Sequence, residues 1–246
     1  MDWDILYVQR TGSTNEDLFQ AGLSGAAEGR VLVAEEQTAG RGRMDRRWVS
    51  PRGAGLYVSV LVRPRLSIRR AGLLSFCAAN AMRAAAAGAG LTDTRIKWPN
   101  DLVCEGKKIC GILSACRARD GELDFAVIGT GLNLKRGSYP EELADRAGCL
   151  EDFGVTASRE DVLQSYLDAL EPQLRDLERG GETVFQELRA HCVTLGRQVQ
   201  VSGETNLTGI ARDIGPEGEL IVETADGVLH PVVAGDVSVR GIMGYV

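Results

Sequence analysis

RIKWPNDLVCEGKKICGILSACRA, residues 95–118, is the stretch that decides how this chain folds. A two-residue reversal at Glu105-Gly106 predicts strand, turn, strand. With that turn length Cys104 faces Lys107 and Val103 faces Lys108. Side-chain alternation then puts Asp101 on the same sheet face as Lys108. A lysine held on a strand beside a carboxylate is placed to neutralise charge during phosphoryl or adenylyl transfer. The plainer interpretation is a pair of solvated lysines at a hairpin end, following a proline turn.

Working outward, STNEDLFQAGLSG (13–25) sets Ser13 three residues before Glu16, a capping-box spacing that predicts a helix. RVLVAEE (30–36) and LYVSVLVRP (56–64) read as strands, the second ended by its proline. Residues 67–87 are alanine-rich with helical apolar spacing, and GAG at 88–90 stops them. DFAVIGTGLNL (124–134) is a further buried strand. From Ser158 to about Cys192 the pattern is helical again, with Asp161 spaced to meet a Ser158 cap. After Leu195-Gly196 come five short alternating segments, RQVQVS, LTGIARDI, ELIVETA, VLHPVV and DVSVRG, parted by GETN, GPEG and ADG turns. That is the pattern of a small β-barrel. The expected architecture is a mixed α/β domain over 1–193 followed by an all-β domain over 196–246.

Composition narrows the function. The 246 residues carry a net charge of −6, so the five arginines of AGRGRMDRRWVSPRG (39–53) are a local feature of an acidic chain. A dedicated nucleic-acid binder shows an extended basic face instead. Arginine forks beside glycines suit a bound anion, because glycine lets the backbone approach closely. The N-terminus lacks a basic start followed by an apolar run, and no stretch reaches 18 apolar residues. A cytoplasmic location away from membranes is therefore expected. The six cysteines form no CxxC pair and only His191 and His230 are present, which argues against a zinc site and against Ser-His-Asp chemistry.

Taken together the motifs resemble the biotin–protein ligases. The matching pieces are STN (13–15), EEQTAGRGR (35–43) followed by Trp48 and Ser50-Pro51, LYVS (56–59), KWPND (97–101), KICGIL (108–113) and GTGLNL (129–134). They occur in the family's order, and the C-terminal β-segment fits the family's SH3-like barrel.

The resemblance implies an α/β (α+β) catalytic domain, with a central mixed sheet flanked by helices, and an SH3-like barrel. It implies activation of biotin by Mg-ATP to biotinyl-5′-AMP and pyrophosphate, then transfer to one lysine of a biotin carboxyl carrier domain of an acyl-CoA carboxylase. Lys108, Arg43 and Asp101 match catalytic positions. Ser13, Thr14, Gln37, Gly40, Arg41, Lys108 and Gly111 match biotin-binding positions. Arg43, Trp48, Asn100, Asn133 and Arg240 match nucleotide-binding positions. Mg2+ is expected to be held mainly by the ATP phosphates, with Asp101 as the candidate protein ligand.

Three departures stand out. Met44-Asp45 follows GRGR where the family often has Arg-Gly, and Ala115 stands where many members carry glutamate. Only a dozen residues precede Ser13, too few for the DNA-binding helix-turn-helix of some bacterial members, so DNA is not an expected partner. The sequence leaves monomer and homodimer open. Lipoate–protein ligases are the nearest enzymatic alternative, and an RNA-binding module is the alternative from another class.

Overall fold

The computed structural model describes residues 1–203 and 206–234, and the backbone of 238–241. Seven strands form one sheet: β1 (Asp4–Val8), β2 (Arg30–Ala34), β3 (Gly55–Val62), β4 (Thr94–Lys97), β5 (Asp101–Cys104), β6 (Lys107–Arg119) and β7 (Glu122–Asn133). Their order is β1-β2-β3-β7-β6-β5-β4, with β1 and β2 parallel and every other pair antiparallel. This is the expected central mixed sheet. β3 is buried at every residue, as its uninterrupted aliphatic sequence requires of a strand covered on both faces.

Helices cover the two faces unequally. On one side α1 (Thr14–Leu23) sets Leu18 against Leu32, Leu61, Phe125 and Val127. Its Gly22 lies so close that a Cβ would come within 2.6 Å of the Phe125 ring. On the other side α2 (Leu73–Gly88) lies between the sheet and α3 (Arg159–Glu178), with α4 (Glu182–His191) beside it. Being wrapped on both sides explains the alanines of α2, whose small side chains permit close approach.

Two helix boundaries differ from the sequence expectation. The run from Ser67 opens as a short 3-10 turn, Ile68–Arg70, and the α-helix starts only after Gly72. The expected helix from Ser158 to Cys192 is two helices, because Gly180 (φ 127°) and Gly181 (φ 85°) take left-handed conformations that reverse the chain.

A second sheet contains β8 (Gln198–Ser202), β9 (Leu207–Ile214), β10 (Leu220–Glu223), β11 (Leu229–Val232) and β12 (Ser238–Gly241). It is antiparallel in the order β11-β10-β9-β8-β12, in keeping with the expected SH3-like unit. The indole of Trp98, itself fully buried, donates to Gly218 O across the two sheets at 3.0 Å. Val193 N donates to Ile96 O at 2.9 Å. The residues that precede β5 are thus tied to the second sheet. No helix of the described residues is long and apolar enough to cross a membrane.

The two predicted caps part company. Ser158 accepts from Asp161 N at 3.0 Å as the spacing requires, whereas the Ser13 side chain makes no cap bond. Gln37 Oε1 caps α1 instead, accepting from Thr14 N at 2.9 Å. Ser158→Ala is expected to cost about 1 kcal/mol of stability, and Ser13→Ala to leave the melting temperature nearly unchanged. Thermal unfolding of both variants checks the contrast.

Candidate functional site

Where β6 and β7 pass under the 39–49 loop they meet glycine to glycine, Gly111 opposite Gly131. The missing side chains leave the floor of a cavity of about 770 Å3. The β5–β6 turn is the one predicted, with Glu105 (φ 47°) and Gly106 (φ 78°) in the left-handed region and Val103 opposite Lys108. A bulge then places Leu102 opposite Cys110, so Asp101 faces Gly111 rather than Cys110. Lys108 Nζ crosses that glycine to reach Asp101 Oδ1 at 2.5 Å. A Cβ on Gly111 would stand 3.1 Å from the ammonium.

Trp48 lies on the same floor. A Cβ on Gly131 would stand 2.4 Å from its indole nitrogen, and the Lys108 ammonium lies 5.3 Å from its ring centre. The indole N–H is buried without a partner among the described residues. The loop that delivers Trp48 is a small hairpin: Arg41 bridges Arg47, Arg46 N donates to Arg43 O at 3.3 Å, and Met44 and Asp45 form its left-handed tip (both φ 55°). Gly40 sits at the base of this hairpin, outside the cavity lining, where a Cβ would stand 2.5 Å from Trp48 O.

At one end of the cavity are Ser13, Thr14 and Gln37. Gln37 Oε1 accepts from Thr14 Oγ1 (3.1 Å) as well as its amide, Gln37 Nε2 donates to Ser50 Oγ (2.9 Å), and Thr14 Oγ1 lies 2.8 Å from Ser59 Oγ. Asn15 donates to Leu113 O at 2.7 Å across Gly129, which has no room for a Cβ. At the other end Asn100 bonds Ile112 O (2.7 Å) and accepts from Arg43 (3.3 Å), whose other nitrogen donates to Ala234 O, two residues beyond β11. Asn133 donates to Gly148 O at 2.9 Å, while its Oδ1 and the Ser138 hydroxyl are buried without a partner among the described residues. Arg41 lines the cavity but is mostly exposed, 3.4 Å from Glu16. The side chain of Arg240 lies outside the described residues.

The lining gathers seven cationic side chains against two carboxylates, Asp101 and Asp145, on a chain of net charge −6. Such a concave, cationic space attracts a polyanion. All six cysteines are free, and burial pushes the Cys104 and Cys149 thiols up to about 11 and Cys110 higher, so they are neutral. Ser59 lies in the matched LYVS motif but was given no site role, and no motif singled out Ser138, Tyr139 or Arg146. Ser59, a hydroxyl inside a wholly buried strand, carried a local signal. The other three come from an irregular segment that only tertiary contacts bring to the cavity.

Residues 7–133 match the biotin/lipoate A/B protein ligase family, and 194–240 match the biotin protein ligase C-terminal domain. This chain belongs to the biotin protein ligase family. It is 37% identical over 238 residues to a biotin–acetyl-CoA-carboxylase ligase of Mycobacterium tuberculosis, spanning 94% of this chain and 86% of that one. It is 33% identical to the bifunctional ligase/repressor BirA of Bacillus spizizenii over 93% of its own length and 72% of the relative's. Its fold superposes on the biotin protein ligase from Aquifex aeolicus in complex with biotin and ATP with a TM-score of 0.79 at 27% identity, covering 96% and 98% of the two chains.

The floor yields its own test. Gly131→Ala is expected to evict the Trp48 indole. Tryptophan emission should then shift to the red, since Trp98 stays buried between the sheets. An unchanged spectrum would show that the ring does not rest there.

Proposed function

We propose that this ligase activates biotin with ATP, forming biotinyl-5′-AMP and pyrophosphate, and passes the biotinyl group to a lysine of a biotin carboxyl carrier domain. The observation that carries this proposal is the partly buried Lys108–Asp101 pair, on a glycine floor, inside a cationic cavity. Attack of a carboxylate on an α-phosphate brings two anions together, and fixed cations offset that repulsion where water is excluded. Lys108 and Arg43 supply them. Asp101 orients Lys108. The reaction needs no covalent nucleophile from the protein, consistent with the neutral cysteines.

Ser13, Thr14 and Gln37 suit the ureido ring of biotin. The mutual bonding of Thr14, Gln37 and Ser59 fixes that end in advance, and the Ser13 side chain, which makes no cap bond, lines the same cavity. Trp48, Asn100 and Asn133 suit the nucleotide, for which the Asn133 oxygen and the indole N–H are open partners. Arg41 and Arg43 close the loop over the ligand, Gly40 letting it fold against Trp48. Arg240 is assigned to the nucleotide by its motif alone. The described residues contain no group of three metal-ligating side chains. They form no dedicated Mg2+ cage, and a magnesium ion carried on the ATP phosphates would find Asp101 as its protein ligand. The C-terminal match is of the biotin type, which favours biotin over lipoate.

Mass spectrometry of the protein with biotin and Mg-ATP is expected to detect biotinyl-AMP, and its absence would remove this function. Lys108→Ala should slow pyrophosphate release by about 100-fold or more, and Lys107→Ala should be nearly silent. Equal losses in the two variants would overturn the role of Lys108. Arg43→Gly should leak the reactive adenylate, so that a bystander protein is biotinylated more per adenylate formed than with wild type. Equal labelling would separate Arg43 from retention.

A further inference from the structure

One wall of the cavity is a compact loop, residues 135–150, that contributes Ser138, Tyr139 and Arg146. Its ends meet: Glu151 N donates to Leu134 O at 3.1 Å, the closed neck of an Ω-loop. Its last limb runs beside the active lysine, with Lys108 N donating to Arg146 O at 2.8 Å and Gly148 N to Lys108 O at 2.9 Å. The first limb, which carries Tyr139, is held to the last chiefly by the Asp152 side chain. Asp152 Oδ2 accepts from Tyr139 Oη at 2.6 Å, from Cys149 N at 3.0 Å and from Cys149 Sγ at 3.2 Å, while Oδ1 accepts from Arg136 Nε at 3.2 Å. Glu151 adds a bond from Arg136 N at 3.0 Å.

We propose that Asp152, which lines no part of the substrate cavity, is a positioning residue for the nucleotide half of the reaction. Its carboxylate joins the two limbs of the loop and so fixes Tyr139 and the Arg146–Gly148 backbone beside Lys108 and Asn133. This inference rests on the proposed ligase function only in naming ATP as the occupant of that end. Burial opposes the charge on Asp152, but the bonds from Tyr139, Cys149 and Arg136 outweigh it and hold the pKa down to about 2. The carboxylate is therefore ionised at neutral pH. Charge-assisted bonds are about twice as strong as neutral ones, so the Asp152 carboxylate contributes strongly to holding a loop without regular structure. Among the described residues the biotin end, built from α1, Gln37 and β3, shares no hydrogen bond with this network.

The test is Asp152→Asn, which keeps the volume and removes the charge, with Tyr139→Phe as a second variant that removes one bond only. Two measurements are made on the full chain. In the first, ATP and biotin dependences are separated. Asp152→Asn should raise KM for ATP about tenfold, leave the biotin dissociation constant within about twofold, and change kcat little at saturating ATP. Tyr139→Phe should move KM for ATP in the same direction by less. In the second, limited trypsin digestion is followed by mass spectrometry. Lys135, Arg136 and Arg146 are exposed on the loop, and Asp152→Asn should speed cleavage there selectively. Unchanged loop cleavage in a folded variant would overturn the latch. Biotin and ATP constants that rise together, with cleavage throughout the chain, would reduce Asp152 to a stability role and also overturn it. If Asp152→Asn does not fold, Tyr139→Phe decides by the same two readouts. Failure of wild type to form biotinyl-AMP would remove the proposed function, yet the digestion would still judge Asp152.

Discussion

The Lys108–Asp101 ion pair depends on a backbone irregularity, and the rest of the site depends on the pair. An ammonium and a carboxylate that are both largely buried must be matched closely, since either alone would cost several kcal/mol. Regular pairing after the Glu105-Gly106 turn would set Cys110 opposite Asp101. The bulge moves Gly111 there, and the lysine passes over a position that has no side chain. Gly131 continues the same gap on the next strand, and the Trp48 indole rests in it. A floor made by omitted side chains lets polar and aromatic groups approach from the rim while the sheet beneath remains apolar and tightly packed.

The two ends of the cavity are organised by different means. The Ser13–Gln37 end is built from regular elements, a helix start and a buried strand, whose hydroxyls and amide satisfy one another before any ligand arrives. The far end is built from loops: the arginine hairpin, the turn before β5 and the 135–150 wall. Loops have more freedom to lose on ordering, and here main-chain bridges and charged latches restrict it. Atoms buried without a partner among the described residues, namely Asn133 Oδ1, the Ser138 hydroxyl and the Trp48 indole nitrogen, also lie toward this end.

Much of this was legible in the sequence, and the failures have physical causes. The β5–β6 hairpin was readable because a two-residue turn fixes the first pairs, Cys104 with Lys107 and Val103 with Lys108. The bulge was not readable, since Ile109 is an ordinary strand residue and the displacement is settled by packing. Ser158 caps its helix as spaced, yet Ser13 with the same spacing does not, because Gln37, 23 residues on, takes the first amide of α1. The reversal at Gly180-Gly181 carried a strong local signal that helical periodicity on either side obscured. β1 was missed as a short edge strand with little alternation to betray it. The 135–150 wall had no periodicity at all, and its assignment to the site rests on contacts with Lys108 and Asn133 that only the fold creates.

What these segments share is the restraint of one flexible side chain. A lysine has about 2 kcal/mol of rotamer entropy to lose when it grips an anion. Lys108 is restrained at both its ends: Asp101 pairs with the ammonium, the Trp48 face lies 5.3 Å away, and Arg146 and Gly148 bond its main chain on both sides. These restraints come from β5, the arginine hairpin and the wall, which are far apart in sequence. A charge fixed in place before reaction stabilises a transition state without reorganisation at the moment of transfer. The strand alone would leave the ammonium free to swing into solvent. It is the convergence of three separate segments on Lys108 that turns an ordinary hairpin lysine into a fixed cation.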